Sequence, residues 1–425
     1  MRVYVGSLGC KLNQSEMDSL AARLAQAGHQ VVTAPAEADL CVLNTCAVTQ
    51  VAAQKSRQAL RRLHRENPAA RLVVTGCYAE LAPADLCDLP GVERVVGNRE
   101  KERLGAWIGE EDTGNVPVPH LRTRALVKIQ DGCDNSCTYC VIRLARGPQQ
   151  SRSPDQVLAE AQAWLAAGHQ EIVLTGVHIG AYGRDRSDGG LGTDLWALVS
   201  RILAETDIPR LRLSSIEPWD LPGRAFRLWD DPRLCRHLHL PLQSGCEATL
   251  RRMARRYTAA EFATLVSAAR AAIPGLAVTT DVIVGFPGET GQEFAESLAF
   301  VEAMQFARAH VFPYSPRPGT LAAGMPAQVP APIKAERAQA MRAVAAASQQ
   351  AFYRRFVGQT MDVLWESAGP RWSGLTDNYL RVYTVHSANL ANTRTLTRLT
   401  ALTGGGLQGE IETQSRERKH KKNGG

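Results

Sequence analysis

Three cysteines within eight residues, Cys133, Cys137 and Cys140, come directly after an apolar strand pattern at Ala125–Gln130. The segment reads Asp131-Gly132-Cys133-Asp134-Asn135-Ser136-Cys137-Thr138-Tyr139-Cys140. A structural zinc site needs four closed ligands, and this loop offers three. A 4Fe–4S cluster held by three cysteines leaves one iron open to an exogenous ligand. A zinc knuckle completed by a distant His or Cys is the alternative. Either way, the chain must present a metal loop at the end of a strand.

Five more strand patterns narrow the fold, at Ile172–Thr175, Leu211–Ser215, His237–Leu242, Val278–Val284 and Ala309–Phe312. Helical stretches separate them, such as Pro154–Ala167, Asp194–Ala204, Ala259–Ala271 and Gln292–Met304. Six βα units predict a parallel barrel or partial barrel with its site at the C-terminal strand ends; the pattern alone also fits an open sheet. The expected range of this core is 123–333.

The first 112 residues form their own α/β unit in this reading. Strand patterns at Val3–Val5, Leu40–Leu43 and Leu72–Thr75 alternate with helical stretches near Gln14–Gln26 and Thr49–His64, which predicts a parallel sheet. Cys10, Cys46 and Cys77 each come after one of these strands, where the ligand sites of parallel sheets gather. They form a second candidate three-thiolate cluster; three unrelated buried cysteines are the alternative. Residues 113–122 read as a linker, 334–356 as a helical connector, 357–412 as a small β-barrel and 413–425 as a basic disordered tail.

Bulk properties agree with a multi-domain enzyme. At 425 residues two or three domains are expected. Ten cysteines without a secretory leader pattern suggest metal or catalysis in a reducing compartment, so the expected location is cytoplasmic. No run of residues reaches the length of an apolar membrane span. The net charge of +7 permits an anionic partner without requiring one.

Other polar residues fall where a barrel lumen would be. Period two puts His237, His239 and Gln243 on one face. Glu217 and Gly176 occupy strand ends equivalent to that of Gln243, and all three are candidates for cofactor binding. Asp281–Glu289 is a strand breaking into a Gly-Pro turn and lacks the Gly-Lys-Ser/Thr of a P-loop. Arg251, Arg252, Arg255 and Arg256 read as a solvated basic face, with phosphate contacts as the alternative. Cys41, Cys87, Cys235 and Cys246 read as packing residues.

These motifs resemble one known family. Gly9-Cys10-Lys11-Leu12-Asn13-Gln14, Asn44-Thr45-Cys46-Ala47-Val48 and Thr75-Gly76-Cys77-Tyr78-Ala79, with the Cys133 loop, resemble the methylthiotransferase branch of radical S-adenosylmethionine enzymes. Leu174–Gly180, Ser214–Pro218 and His239–Gly245 are most similar to the bacterial enzymes acting on threonylcarbamoyladenosine in tRNA. Gly374–Tyr379 resembles part of the RNA-binding barrel known as TRAM. One segment departs from the family, which usually has Ile-Pro-aromatic-Ala-Arg-Gly where this chain has Ile142-Arg143-Leu144-Ala145-Arg146-Gly147.

The resemblance implies two 4Fe–4S clusters and S-adenosylmethionine as cofactors. Cys133, Cys137 and Cys140 would hold the catalytic cluster, where S-adenosylmethionine is cleaved to a 5′-deoxyadenosyl radical that initiates hydrogen removal at carbon 2 of the adenine. Cys10, Cys46 and Cys77 would hold the cluster that delivers methylthio. The implied partners are tRNA, an electron donor and a sulfur source. Sister activities on isopentenyladenosine in tRNA or on a ribosomal-protein aspartate are the nearest alternatives. A non-catalytic iron–sulfur RNA-binding regulator is a more distant one.

Overall fold

The computed structural model describes residues 1–108, 123–186, 194–367 and 369–412. The expected linker at 113–122 and the basic tail at 413–425 lie outside the described residues.

The N-terminal unit is a five-stranded parallel sheet. Its strands are β1 (Arg2–Ser7), β2 (Gln30–Val32), β3 (Leu40–Thr45), β4 (Arg71–Gly76) and β5 (Val92–Val96), ordered β2-β1-β3-β4-β5. Alternation along β3 sends Leu40 and Val42 to one face, with Met17, Leu20 and Leu24 of α1 (Lys11–Gln26). Cys41 and Leu43 go to the other, with Leu60 and Leu63 of α2 (Gln50–Glu66). The edge strands β2 and β5 escape sequence reading because β2 is three residues long and β5 carries exposed Glu93 and Arg94, as edges commonly do. Short helices α3 (Cys77–Leu81), α4 (Ala84–Cys87) and α5 (Leu104–Ile108) complete the unit. Because α4 is a single turn that buries Leu86, Cys87 faces outward; the packing role expected for it does not hold.

The central unit is a six-strand parallel partial barrel. Strands β6 (Arg124–Lys128), β9 (Glu171–Thr175) and β10 (Leu211–Leu213) form one half, and β11 (His237–His239), β12 (Ala277–Val284) and β13 (Arg308–Pro313) the other. Parallel bridges Leu211↔Leu234 and Ser215↔His239 join the halves. A small hairpin, β7 (Gln130–Asp131) with β8 (Gln150–Ser151), brackets the cysteine loop and helix α6 (Ile142–Arg146). Outer helices are α7 (Pro154–Ala166), α8 (Leu195–Glu205), α9 (Glu247–Arg252), α10 (Ala259–Ala272) and α11 (Gly291–Met304). Capping boxes at Ser153/Gln156, Thr258/Glu261 and Thr290/Glu293 fix the starts of α7, α10 and α11. Strands β6 and β13 do not pair, and α1 lies along β6, where Ser15 donates to the Leu126 carbonyl at 2.7 Å.

Helix α12 (Ala331–Arg354) is more than a spacer. Ala338 and Met341 join the partial barrel's core, while Phe352 and Tyr353 join the core of the C-terminal barrel. That barrel is closed, in the order β14-β15-β16-β18-β17, from β14 (Thr360–Ser367), β15 (Trp372–Thr376), β16 (Arg381–Thr384), β17 (Arg394–Thr403) and β18 (Gly406–Ile411).

The small barrel is docked on the N-terminal ends of the large barrel's strands. Arg236 pairs with Asp377 at 2.6 Å, and Arg212 donates to the carbonyls of Asp377 and Thr376. Tyr379, at a positive φ of 68°, stacks on His237 with ring centroids 4.4 Å apart. Beneath it, Arg212 and the fully buried Glu171 pair at 2.6 Å. Burial works to raise the Glu171 carboxyl, but Arg212, Arg124 and Arg210 outweigh it and hold it at about 2.

Replacing Arg212 with Met strands a buried carboxylate. The expected loss is about 3 to 5 kcal/mol, read as a lower thermal midpoint, and Arg212→Met with Glu171→Leu should recover part of it. A depressed carboxyl stabilises above its unfolded pKa, so Glu171's contribution is fully present above pH ~4.3. It is lost only as the pH falls through about 2. An unchanged midpoint in the single variant would show that the pair does not hold this floor.

Candidate metal centres

The Cys133 loop is shaped by its backbone. Gly132 has φ +65°, and a Cβ there would lie 1.8 Å from the Pro148 carbonyl oxygen; only glycine lets the loop turn so close to that backbone. The Cys133 amide donates to the Gly147 carbonyl at 3.1 Å, and that of Cys140 to Cys137 at 3.1 Å. Thr138 anchors the loop to the end of α9, donating from its amide to Met253 and from its hydroxyl to Arg252.

Several barrel residues converge on these thiols. Arg255 donates to Cys137 Sγ at 3.5 Å and is paired with Glu217. Its guanidinium lies over the rings of Trp219 and Tyr257. His178 Nδ1 lies 4.0 Å from Cys133 Sγ and 3.2 Å from Asn135 Nδ2, and its Nε2 is 2.5 Å from Asp220. Burial opposes charge on His178, yet Asp220 and Cys133 prevail and raise the imidazole to about 9. Arg255 is therefore no part of a solvated face, which at this position is confined to Arg251 and Arg256. Its signal was present in the Arg-Arg-Tyr run at 255–257, where an aromatic comes after the charges.

The other candidates fall close by. Gly176 comes directly after β9 in close packing, with a would-be Cβ 2.8 Å from the Gln130 carbonyl oxygen. Gln243 adopts φ 66°, its amide donating to Asp281 and its carbonyl accepting from Ile283. His239 and His237 share the Thr279 hydroxyl, each at 2.9 Å. Cys246 is buried and donates to Glu296 at 3.2 Å, and Cys41 and Cys235 are buried.

The second triad assembles at the C-terminal edge of the N-terminal sheet. Cys10 precedes α1, Cys46 comes after β3 and Cys77 opens α3. A Cβ on Gly9 would lie 2.7 Å from Cys46 Sγ, and the three thiols sense one another electrostatically. Asn98 donates to Cys77 Sγ at 3.8 Å and to the Ala145 carbonyl of α6 at 2.6 Å. The N-terminal centre therefore touches the helix that ends the other cysteine loop.

Arg146 makes that junction. Its side chain is 1% exposed and donates to Glu16 at 2.9 Å, to Asp131 at 2.8 Å and to Asn13 at 2.6 Å. Lys101 and Lys128 also pair with Glu16. Burial works to raise the Glu16 carboxyl, but these three cations hold it well below the usual range.

Both triads fit iron–sulfur clusters. Burial pushes the Cys46 thiol up to about 11 and Cys140 up to about 12, and raises Cys10 and Cys137. Such thiols become ligands only where a metal cation replaces their protons. Among the described residues no three His, Cys, Asp or Glu side chains are spaced for a single ion. A cluster does not demand that spacing, because each thiolate binds a different iron. Asn44 Oδ1, Thr75 Oγ1 and Asn98 Oδ1, beside the second triad, are buried without partners.

Arg146→Ala should leave Glu16 and Asp131 buried without their main cation. The two units should then come apart early, with limited proteolysis cutting between them at least about tenfold faster. Unchanged cleavage rates would show that other contacts hold the junction.

Comparison with known proteins agrees with this geometry. Residues 2–97 match the pattern described as "Uncharacterized protein family UPF0004", and residues 127–301 match "Radical SAM superfamily". The chain is 38% identical to the threonylcarbamoyladenosine tRNA methylthiotransferase MtaB of Bacillus subtilis, covering 88% of each. It is 34% identical to the tRNA-2-methylthio-N(6)-dimethylallyladenosine synthase of Anoxybacillus flavithermus, covering 89% of this chain and 76% of that one. It is also 38% identical to the ribosomal protein uS12 methylthiotransferase RimO of Desulforudis audaxviator, covering 86% and 85%. In fold it is similar to the radical S-adenosylmethionine methyltransferase TsrM of Kitasatospora setae, with a TM-score of 0.55 at 16% identity over 76% and 77% of the chains. With two three-cysteine centres meeting at Arg146 and relatives of this identity over nearly its whole length, the chain belongs to the methylthiotransferase family of radical S-adenosylmethionine enzymes.

Proposed function

We propose that the chain replaces the hydrogen on carbon 2 of N6-threonylcarbamoyladenosine, beside a tRNA anticodon, with a methylthio group. The observation that carries this reading is the joining of two three-cysteine centres across one buried junction at Arg146. Similarity over most of its length to an enzyme named for that nucleoside supports the substrate.

Cys133, Cys137 and Cys140 would hold one 4Fe–4S cluster, and Cys10, Cys46 and Cys77 the other, each leaving an iron without a protein ligand. When bound, the first supplies one-electron cleavage of S-adenosylmethionine and the second carries the sulfur to be transferred. The protein's residues orient and shield. Asn135, His178 and Asp220 fix the first loop, and Arg255 sets Glu217 at its rim. Glu217, Gln243 and Gly176 lie at the strand ends where the cofactor would rest. The carbon–hydrogen bond to be broken offers no acidic proton, so no general base is required of the chamber.

An outside electron donor and an outside sulfur source complete the cycle. Acting on tRNA, the enzyme would work in the cytoplasm. Among the described residues, no helix is long and apolar enough to cross a membrane. The small barrel and the basic residues of 413–425 would add tRNA affinity.

Anaerobic reconstitution should give about eight irons per chain, and replacing Cys133, Cys137 and Cys140 with Ala should leave about four. That variant should form no 5′-deoxyadenosine; any that formed would misplace the radical centre. Replacing Cys10, Cys46 and Cys77 should end methylthiolation while leaving some cleavage of S-adenosylmethionine.

Mass spectrometry of tRNA nucleosides from a deletion strain decides the substrate. Loss of 2-methylthio-threonylcarbamoyladenosine is expected, whereas its survival with loss of the isopentenyl counterpart, or of modified ribosomal aspartate, would transfer the chain to a sister activity. Removing 413–425 should flatten the slope of log affinity for tRNA against log salt by about 1 to 3 units.

A further inference from the structure

One helix of the N-terminal unit carries charge that the fold does not balance. Helix α2 turns Ala53, Ser56, Leu60 and Leu63 inward. Its outward side presents Val51, Lys55, Gln58, Arg61, Arg62 and Arg65. The helix's one acid, Glu66, is taken by Arg62 at 2.6 Å, and Arg57 is taken by the Tyr78 hydroxyl and ring. Lys55, Arg61 and Arg65 are exposed and have no hydrogen bond or ion pair among the described residues.

Helix stability does not ask for this pattern. Arg57, Arg61 and Arg65 succeed one another at four-residue spacing, where like charges destabilise a helix. At the same spacing elsewhere the chain places an acid: Arg62 has Glu66, and Arg201 of α8 has Glu205. The helix dipole favours cations only in the last turn, which holds Arg65 but neither Lys55 nor Arg61. A ladder of cations that weakens its own helix is accounted for by an anion from outside.

Hydrogen bonds place the start of this ridge beside both units. The Ser56 hydroxyl accepts from the Cys46 amide at 3.2 Å and donates to the Cys46 carbonyl at 3.0 Å. The Gln50 amide donates to the Ser315 hydroxyl at 3.2 Å, in the segment that follows β13 at the mouth of the large barrel. From Lys55 to Arg65 the ridge then runs about 15 Å along the helix axis.

We propose that α2 is a tRNA-docking ridge on which Lys55, Arg61 and Arg65 meet phosphates of the anticodon arm. This rests on the proposed action on tRNA and deepens it by assigning a docking surface outside the small barrel. An RNA strand offers a row of charges to match a row of cations, and the guanidinium fork suits phosphate oxygens. The ridge begins at the second triad, the side from which methylthio would be delivered. An acidic electron-donor protein is the competing occupant.

The test uses the reconstituted full-length enzyme and an anticodon stem–loop carrying threonylcarbamoyladenosine. Lys55→Gln/Arg61→Gln/Arg65→Gln should raise the Kd for RNA on the order of tenfold at physiological salt and flatten the slope of log affinity against log salt by about 2 to 3 units. Its iron content, and its cleavage of S-adenosylmethionine by dithionite without RNA, should match those of wild type. Arg61→Gln alone removes the middle rung, so its thermal midpoint should be unchanged or higher; a lower one overturns the proposal, because the cation would then serve the fold. In wild type, bound stem–loop should slow acetylation of Lys55, a readout that stands even where the triple variant fails to fold. An unchanged Kd and slope, or Lys55 acetylated as fast with RNA as without, overturns the proposal. So does unchanged RNA binding with slower cleavage driven by an acidic protein donor, which would assign the ridge to that donor. A wild type that binds no stem–loop at all overturns the functional reading itself, and the proposal with it.

Discussion

The buried guanidinium of Arg146 is the interaction on which the architecture depends. It lies between a carboxylate of α1 and a carboxylate that starts the Cys133 loop, and it also reaches Asn13, three residues from Cys10. A group this deeply buried is tolerated only because acids surround it. Removing any partner would leave charge uncompensated, so the junction has one arrangement. Two cysteine triads on separately folded units thereby share a fixed geometry.

Charge is handled the same way at the other end of the barrel. Glu171, Arg210 and Arg212 are buried together, and the arginines spend their remaining donors on carbonyls of the C-terminal barrel. Apolar packing through Phe352 and Tyr353 of α12 supports that contact from the side. The small barrel, expected as an RNA-affinity module, is also the floor of the chamber.

Much of this was legible in the residues. The strand patterns located the six barrel strands and three strands of the N-terminal sheet, because buried parallel strands are continuous apolar runs. The six cysteines stood out by their position at strand ends. Less legible were contacts joining elements far apart in sequence. Arg255 looked like one of four surface arginines, yet Glu217 and Trp219 draw it inward. Arg146 sat in a segment noted only for its departures at Arg143 and Leu144. Its role needs Glu16, 130 residues away, and no local pattern encodes that. The helix at 331–354 has no strong apolar stripe, since small alanines provide much of its contact surface.

The stacking of Tyr379 on His237 has a consequence for how far along a nucleic acid this enzyme can work. A module tethered by a loose connector lets its cargo sample many positions, whereas one clamped by Arg236, Arg212 and Tyr379 cannot swing. RNA gripped by the small barrel, as proposed above, would be held at a set span from the cysteine loop. Selection of one nucleotide in a folded RNA would then be a matter of measured length, with the enzyme acting as a ruler.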